Sequence, residues 1–347
     1  MKKILLCLCM LMFLIIPVRA EELTAPQASP DVQHLIDSEQ KDFGQALWYM
    51  IRTALDTMAP DLAQAIRVCI TVIAAVLLIS MLRSFSQNPI PVFDLAVCIS
   101  LSTILLSGTN ALIHEGAQTV TELSDYGKLL VPVMTAALAA QGGVTTAGTI
   151  YSATALFDTV LTTLIGNVLV PLVYIFLAVC IANCAFGDDS LKKIRDFMKW
   201  LMGWSLKTIL YIFTGYVTIT GVVSGVTDTT AVKAAKLTIS GAVPVVGGIL
   251  SDASEAVLIG AGTIKNTVGL AGLLAILATV IGPFLRIGMH YMLLKLTAAV
   301  SSAFSDKKSA ELIQDFSSAM GLLLAMTGTV SVMLLISTVC MMRGLNL

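Results

Sequence analysis

Apolar residues in this chain are grouped into long blocks, and the polar stretches between them are short. After an opening block at 4–16 and a polar segment at 21–30, Val32, Leu35, Ile36, Phe43, Leu47, Met50, Ile51, Leu55 and Met58 recur at helical spacing. Asp37, Glu39, Lys41, Asp42, Arg52 and Asp56 fall mostly on the other side. The pattern predicts an amphipathic helix that Pro60 ends, with Trp48 and Tyr49 suited to a membrane interface. Such a helix lies on a bilayer, docks a partner, or packs against its own membrane domain.

Beyond it the blocks reach spanning length, which takes about 20 apolar residues. Spans are expected at 66–82, 92–113, 159–182, 200–223, 268–285 and 320–342, about six in all. Between them, 114–128 (HEGAQTVTELSDYGK) reads as a polar, acidic-leaning loop. The block at 129–140 is too short to cross and reads as a buried or re-entrant piece, followed by a flexible break in QGGVTTAG. Gly166 and Pro171 should kink the third span. Residues 183–199 carry Lys192, Lys193, Arg195 and Lys199, the densest basic cluster, and read as a cytoplasmic loop under the positive-inside rule. In GPFLRIGMHYMLLKLTAAVSSAF, Arg286, His290 and Lys295 favour an interfacial cytoplasmic helix over a spanning helix with buried charges. Residues 305–318 read as polar and helical.

The stretch at 213–266 is neither a clean span nor a clean soluble loop. Its apolar runs are broken by Gly215, Gly221, Gly225, Gly241, Pro244, Gly247, Gly248, Gly260 and Gly262, and it carries Asp228, Lys233, Lys236, Asp252, Glu255 and Lys265. Glycine frees the backbone and proline removes a donor, so an interrupted helix is expected there. Interrupted backbone at membrane depth survives only against protein or a water-filled cavity. Asp252 and Glu255, three apart, share a helix face. They form a capping box or a solvated face, or else a carboxylate pair lining a polar path. Lys233 and Lys236 face one way as an interface or partner-facing stripe. Gly221 and Gly225, four apart, suit close helix packing.

Composition fixes the class. Of 347 residues, 56% are hydrophobic and 12% charged, with a mean hydropathy of +0.88. A soluble protein carries about a quarter charged residues, so these cannot coat a globular surface. The net charge of −1 offers no basic footprint for nucleic acid. Lys2 and Lys3, the 4–16 block and the small residues Val18 and Ala20 make a signal peptide at 1–20, with a short uncleaved anchor as the alternative; both export Glu21 onward. The resulting topology puts Arg286 and Lys295 on the cytoplasmic side, and Arg52 and Lys128 opposite. Cys69, Cys98, Cys180, Cys184 and Cys340 sit in apolar segments and read as small hydrophobes, without a metal or redox role. His34, His114 and His290 are scattered. No metalloprotease, Walker A or dinucleotide pattern occurs, so no catalytic residue, cofactor or metal is expected. An intramembrane protease using Ser224 lacks a histidine nearby.

TGYVTITGVVSG, TAVKAAKLTISGAVPVVGGILSDASEAVL, GPFLRIGMHYMLLKLTAAV, DKK and DFSSAMGLLLAMTG together resemble the stage III sporulation protein AE family of endospore-forming bacteria. The likeness is nearly continuous from about Gly215 to Met342; upstream, the order and type of segments agree. It implies a polytopic protein of the mother-cell membrane around the engulfed forespore. There it would belong to a channel, or feeding-tube, complex with its sister proteins of the stage III A operon, an ATPase and ring-forming subunits among them. The resemblance supplies no catalytic residue.

The expected architecture is therefore an all-α polytopic membrane protein with interrupted or re-entrant helices. It has a signal peptide at 1–20, an extracytoplasmic amphipathic region at 21–62 and a membrane domain at 63–347 with its glycine-broken centre at 213–266. The expected role is a non-enzymatic subunit or scaffold of a sporulation transport complex, in contact with lipid and open to homo-oligomerisation. Lys233, Lys236, Asp252 and Glu255 are the expected pathway or partner contacts. The alternative is a self-sufficient secondary transporter of a small solute, because such proteins place substrate sites at broken helices.

Overall fold

A computed structural model describes residues 43–85, 91–242, 247–304 and 307–343, with side chains described over these ranges except at 43, 44, 46, 83–85, 91–94 and 221–266. The signal-peptide expectation at 1–20 lies outside the described residues. Those described are helical almost throughout: α1 Phe43–Thr57, α2 Ala59–Phe85, α3 Pro91–Ala140, α4 Val144–Leu164, a π-helical turn Ile165–Leu169, α5 Val170–Phe186, α6 Asp189–Ala242, α7 Gly247–Phe304 and α8 Lys307–Arg343. Among the described residues, five segments are long and apolar enough to cross a membrane: Ala59–Leu82, Leu95–Ala140, Val144–Phe186, Thr267–Phe304 and Lys307–Arg343. The protein is an all-α polytopic membrane protein. The expected span at 200–223 falls on α6 and reaches beyond the residues whose side chains are described.

α8 is the axis of the bundle, with 61% of its apolar window buried against 22–44% in the other four segments. It packs against α3, α4, α5, α6 and α7. Its interior face carries Ser and Thr, whose hydroxyls return to carbonyls one turn back, as in Thr327 to Leu323, Ser331 to Thr327 and Ser337 to Met333. Such local bonding satisfies a hydroxyl without a partner helix, so small polar residues can sit where helices meet closely. Gly321 of α8 allows another close approach: a Cβ there would stand 3.2 Å from Tyr291 of α7.

α1 does what the least elaborate expectation held: Met50 is buried and packs against Leu274, Ala278 and Ile281 of α7, while Trp48 and Tyr49 stay exposed. Pro60 falls in the first turn of α2, where its missing N–H was unpaired anyway.

Four expectations are corrected. Residues 114–128 are not a loop, and 129–140 is not a re-entrant piece, because α3 runs through both for 50 residues. Buried positions Gly116, Thr119, Val120, Leu123, Ser124, Gly127, Leu130, Val131, Met134 and Leu138 form one continuous stripe at helical spacing. Small residues within it hid the stripe behind an overall polar composition. The basic segment 183–199 is likewise mostly helix. Only Gly187 and Asp188 stand between α5 and α6, with Gly187 left-handed at φ 68° and Asp188 accepting the Ser190 N–H at 2.8 Å. The segment around Arg286 is not a separate helix but part of α7. Over 213–266 the chain forms two helices, as an interruption requires, but α6 continues through Gly215, Gly221, Gly225 and Gly241, and α7 through Gly247, Gly248, Gly260 and Gly262. One glycine costs a helix only about 1 kcal/mol, so spaced glycines do not end one. The two helices stop and resume on either side of 243–246, which contains Pro244.

Interruptions occur elsewhere. Gly142, at φ 91°, turns the chain between α3 and α4, inside the expected QGGVTTAG break. The π-turn at Ile165–Leu169 sits where Gly166 and Pro171 predicted a kink; the Val170 N–H reaches Ile165, a ladder bond one residue longer than normal.

Candidate functional site

Lys233 and Lys236 lie on the C-terminal part of α6, and Asp252 and Glu255 in the first turns of α7; Gly221 and Gly225 lie on α6. The side chains of all six fall outside the described residues. The described interior instead gathers polar groups at three other places.

At the first, the cations of the basic segment meet acids of α8. Arg195 donates from Nη1 to Asp315 Oδ2 at 2.8 Å, with side chains 9% and 11% exposed. Its Nε donates to Asp196 at 3.1 Å, and Glu311 lies 3.8 Å from both Arg195 and Lys192. Lys199 donates to Ser318 at 2.8 Å. Burial opposes the Arg195 charge, but Asp315 and Asp196 more than offset it, so its pKa stands above the usual arginine value. Two faces are matched here: Lys192, Arg195 and Lys199 repeat at three and four along α6, and Glu311 and Asp315 at four along α8. That match was legible in the sequence, although reading 183–199 as a loop concealed it.

The second place ties three helices to one guanidinium. Arg286 of α7 reaches Asp61 of α2 at 2.6 Å and Glu115 of α3 at 2.9 Å. His290 Nδ1 lies 2.9 Å from the Arg286 carbonyl. This contact contradicts the expected placement of Arg286 and Glu115 on opposite sides of the membrane. Arg286 is level with Glu115, and its charge is neutralised by two carboxylates from helices distant in sequence.

At the third, Ser124 of α3 donates to Asp158 Oδ2 of α4 at 2.6 Å, and Thr154 of α4 donates to Ser337 of α8 at 2.8 Å. Lys128 donates to Asp125 at 2.8 Å on the exposed flank of α3.

The cysteines also depart from expectation. Cys98 of α3 and Cys184 of α5 form a disulfide with Cα atoms 6.0 Å apart, so these two are a cross-link rather than small hydrophobes. Cys180, one turn before Cys184, stays free beside Asp315. Among the described residues, no group of three or more His, Cys, Asp or Glu is placed to hold a metal ion.

Ion pairs of this kind hold helices in register. A comparison with protein families gives the family: the model described as Stage III sporulation protein AE matches residues 29–344. The chain belongs to the stage III sporulation protein AE family. A curated relative, Stage III sporulation protein AE of Bacillus subtilis (strain 168), is 22% identical over 219 residues, which are 63% of this chain and 55% of the relative. The chain thus spans about 55% of that relative's length. No solved structure matches. Family membership makes this a sporulation protein, and the five apolar helices make it a multi-pass membrane protein. The family match extends well upstream of Gly215, over α1 to α5, where the sequence alone offered only an agreement in segment order.

Proposed function

We propose that this protein is a membrane subunit, or scaffold, of a sporulation transport complex between mother cell and forespore, seated in the mother-cell membrane around the forespore. The observation that carries this reading is the family match over residues 29–344. Its partners are sister proteins of the same sporulation operon, among them an ATPase and ring-forming subunits, and its own role is non-enzymatic. Helix length supports a scaffold. α3, α6 and α7 have 50, 54 and 58 residues. At 1.5 Å per residue, straight helices of these lengths measure roughly 75–87 Å, against ~30 Å for the hydrocarbon core. Such helices carry side chains well beyond the bilayer, where soluble partners can dock. Lys233, Lys236, Asp252 and Glu255, flanking the 243–246 break, are the proposed contacts.

Crosslinking in sporulating cells from cysteines placed across 226–266, with partners identified, tests the docking. Replacing Lys233, Lys236, Asp252 and Glu255 together by Ala should impair complex assembly and spore yield. Normal values of both would dismiss the contact role of this stretch. Solute uptake by the purified protein alone in vesicles would favour a secondary transporter instead.

A further inference from the structure

Between α3, α4 and α8 lies a cavity of about 120 Å³ whose lining includes Lys128, Pro132, Tyr151, Asp158, Thr159 and Leu334. Asp158 is 4% exposed. Ser124 satisfies its Oδ2, while Oδ1 has no hydrogen-bond partner. A half-paired carboxylate against the apolar walls of Val131, Pro132, Ala155 and Leu334 is costly unless something positive or protic meets it. Lys128 borders the cavity, but its ammonium donates to Asp125, and both of those side chains are more than 60% exposed.

The rest of the lining is rich in oxygen. Pro132 has no N–H, so the carbonyl of Lys128, one turn earlier, lacks its helical donor. Thr159 already gives its hydroxyl proton to Ala155 at 2.8 Å, which leaves its oxygen as an acceptor. Tyr151 adds a phenolic oxygen. One carboxylate, one released carbonyl and hydroxyl oxygens are hard ligands with a single negative charge between them. Hard cations choose such oxygen sets. A divalent ion would leave excess positive charge among apolar walls, whereas a monovalent one is balanced. The volume holds an ion with a few waters, at about 30 Å³ of liquid volume per water.

We infer that this cavity is a binding site for a small monovalent metal cation, Na+ or K+, with Asp158 as its charged ligand. The site stands on Asp158 and its surroundings and is independent of the complex proposed above.

The test uses the purified full chain in detergent, melted in NaCl, KCl and choline chloride at equal ionic strength and pH. Equilibrium binding of radioactive sodium and rubidium accompanies it. A cation bound to the folded state alone raises the melting temperature as its concentration passes the dissociation constant. The wild-type protein should melt higher in NaCl or KCl than in choline chloride and should retain sodium or rubidium. Asp158→Asn, of the same shape without the charge, should melt alike in all three salts and retain neither ion. Pro132→Ala returns a donor to the Lys128 carbonyl and should weaken binding by about tenfold, the effect of one lost ligand bond. Identical wild-type melts in all three salts with no retained ion overturn the site, and would assign a proton to Oδ1 instead. Undiminished ion binding in Asp158→Asn also overturns it. Should Asp158→Asn fail to fold, the Pro132→Ala isotherm decides, and an unchanged affinity there overturns the site.

Discussion

Arg195 on α6 and Asp315 on α8 meet at 2.8 Å across 120 residues of sequence. Both charges have left water, and the pair latches the start of α6 to the axial helix. Removing one partner strands the other. Arg195→Ala should destabilise the protein by about 3–5 kcal/mol, because Asp315 is left charged and unpaired. Arg195→Met with Asp315→Leu should recover most of that loss. Detergent-mixture unfolding of Arg195→Met, Asp315→Leu and the double variant gives the coupling energy directly, and a double variant as unstable as the singles would count against the latch.

The guanidinium of Arg286 is 39% exposed, and its two partners 29% and 25%, so solvent screens this node more than the first. Arg286→Ala should therefore cost only about 1 kcal/mol. Its signature is local: α2 loses its tie to α7, and amide hydrogen exchange should quicken in the first turns of α2 around Asp61. Unchanged exchange there would mean that apolar packing alone holds α2.

Glycines divide by what a Cβ would meet. At Gly272 it would lie 2.7 Å from both terminal methyl carbons of Leu130, a side chain only 3% exposed. At Gly148 nothing lies within 4 Å. Gly272→Val should cost about 1–3 kcal/mol by overpacking the contact between α3 and α7. Gly148→Ala should gain up to about 1 kcal/mol of helix propensity. Melting temperatures of the two variants should move in opposite directions.

The Cys98–Cys184 bond closes a separation of 86 residues between α3 and α5. Thiol labelling of the denatured, unreduced protein should modify Cys69, Cys180 and Cys340 but spare Cys98 and Cys184. Cys98→Ser with Cys184→Ser should lower stability by about 2–5 kcal/mol. Equal labelling of all five would show that the two thiols are not joined.

Composition alone assigns the class of this protein. So few charges among so many apolar residues leave a bilayer as the only solvent that fits. The motifs from TGYVTITGVVSG onward were enough to indicate the family. Tertiary structure decided what local patterns cannot carry. Polar residues 114–128 belong inside α3 because their small side chains face α7 and α8, and burial on one face overrides composition. Arg286 finds Asp61 and Glu115, Arg195 finds Asp315, and Cys98 finds Cys184, each across a distance in sequence at which no periodicity operates. Asp158 stands just ahead of the expected span at 159–182; only the packing of α3 and α8 around it shows a carboxylate with one oxygen unmet. Helical spacing tells which residues share a face. Only packing chooses the face they meet, and the energy of a buried charge depends on that choice.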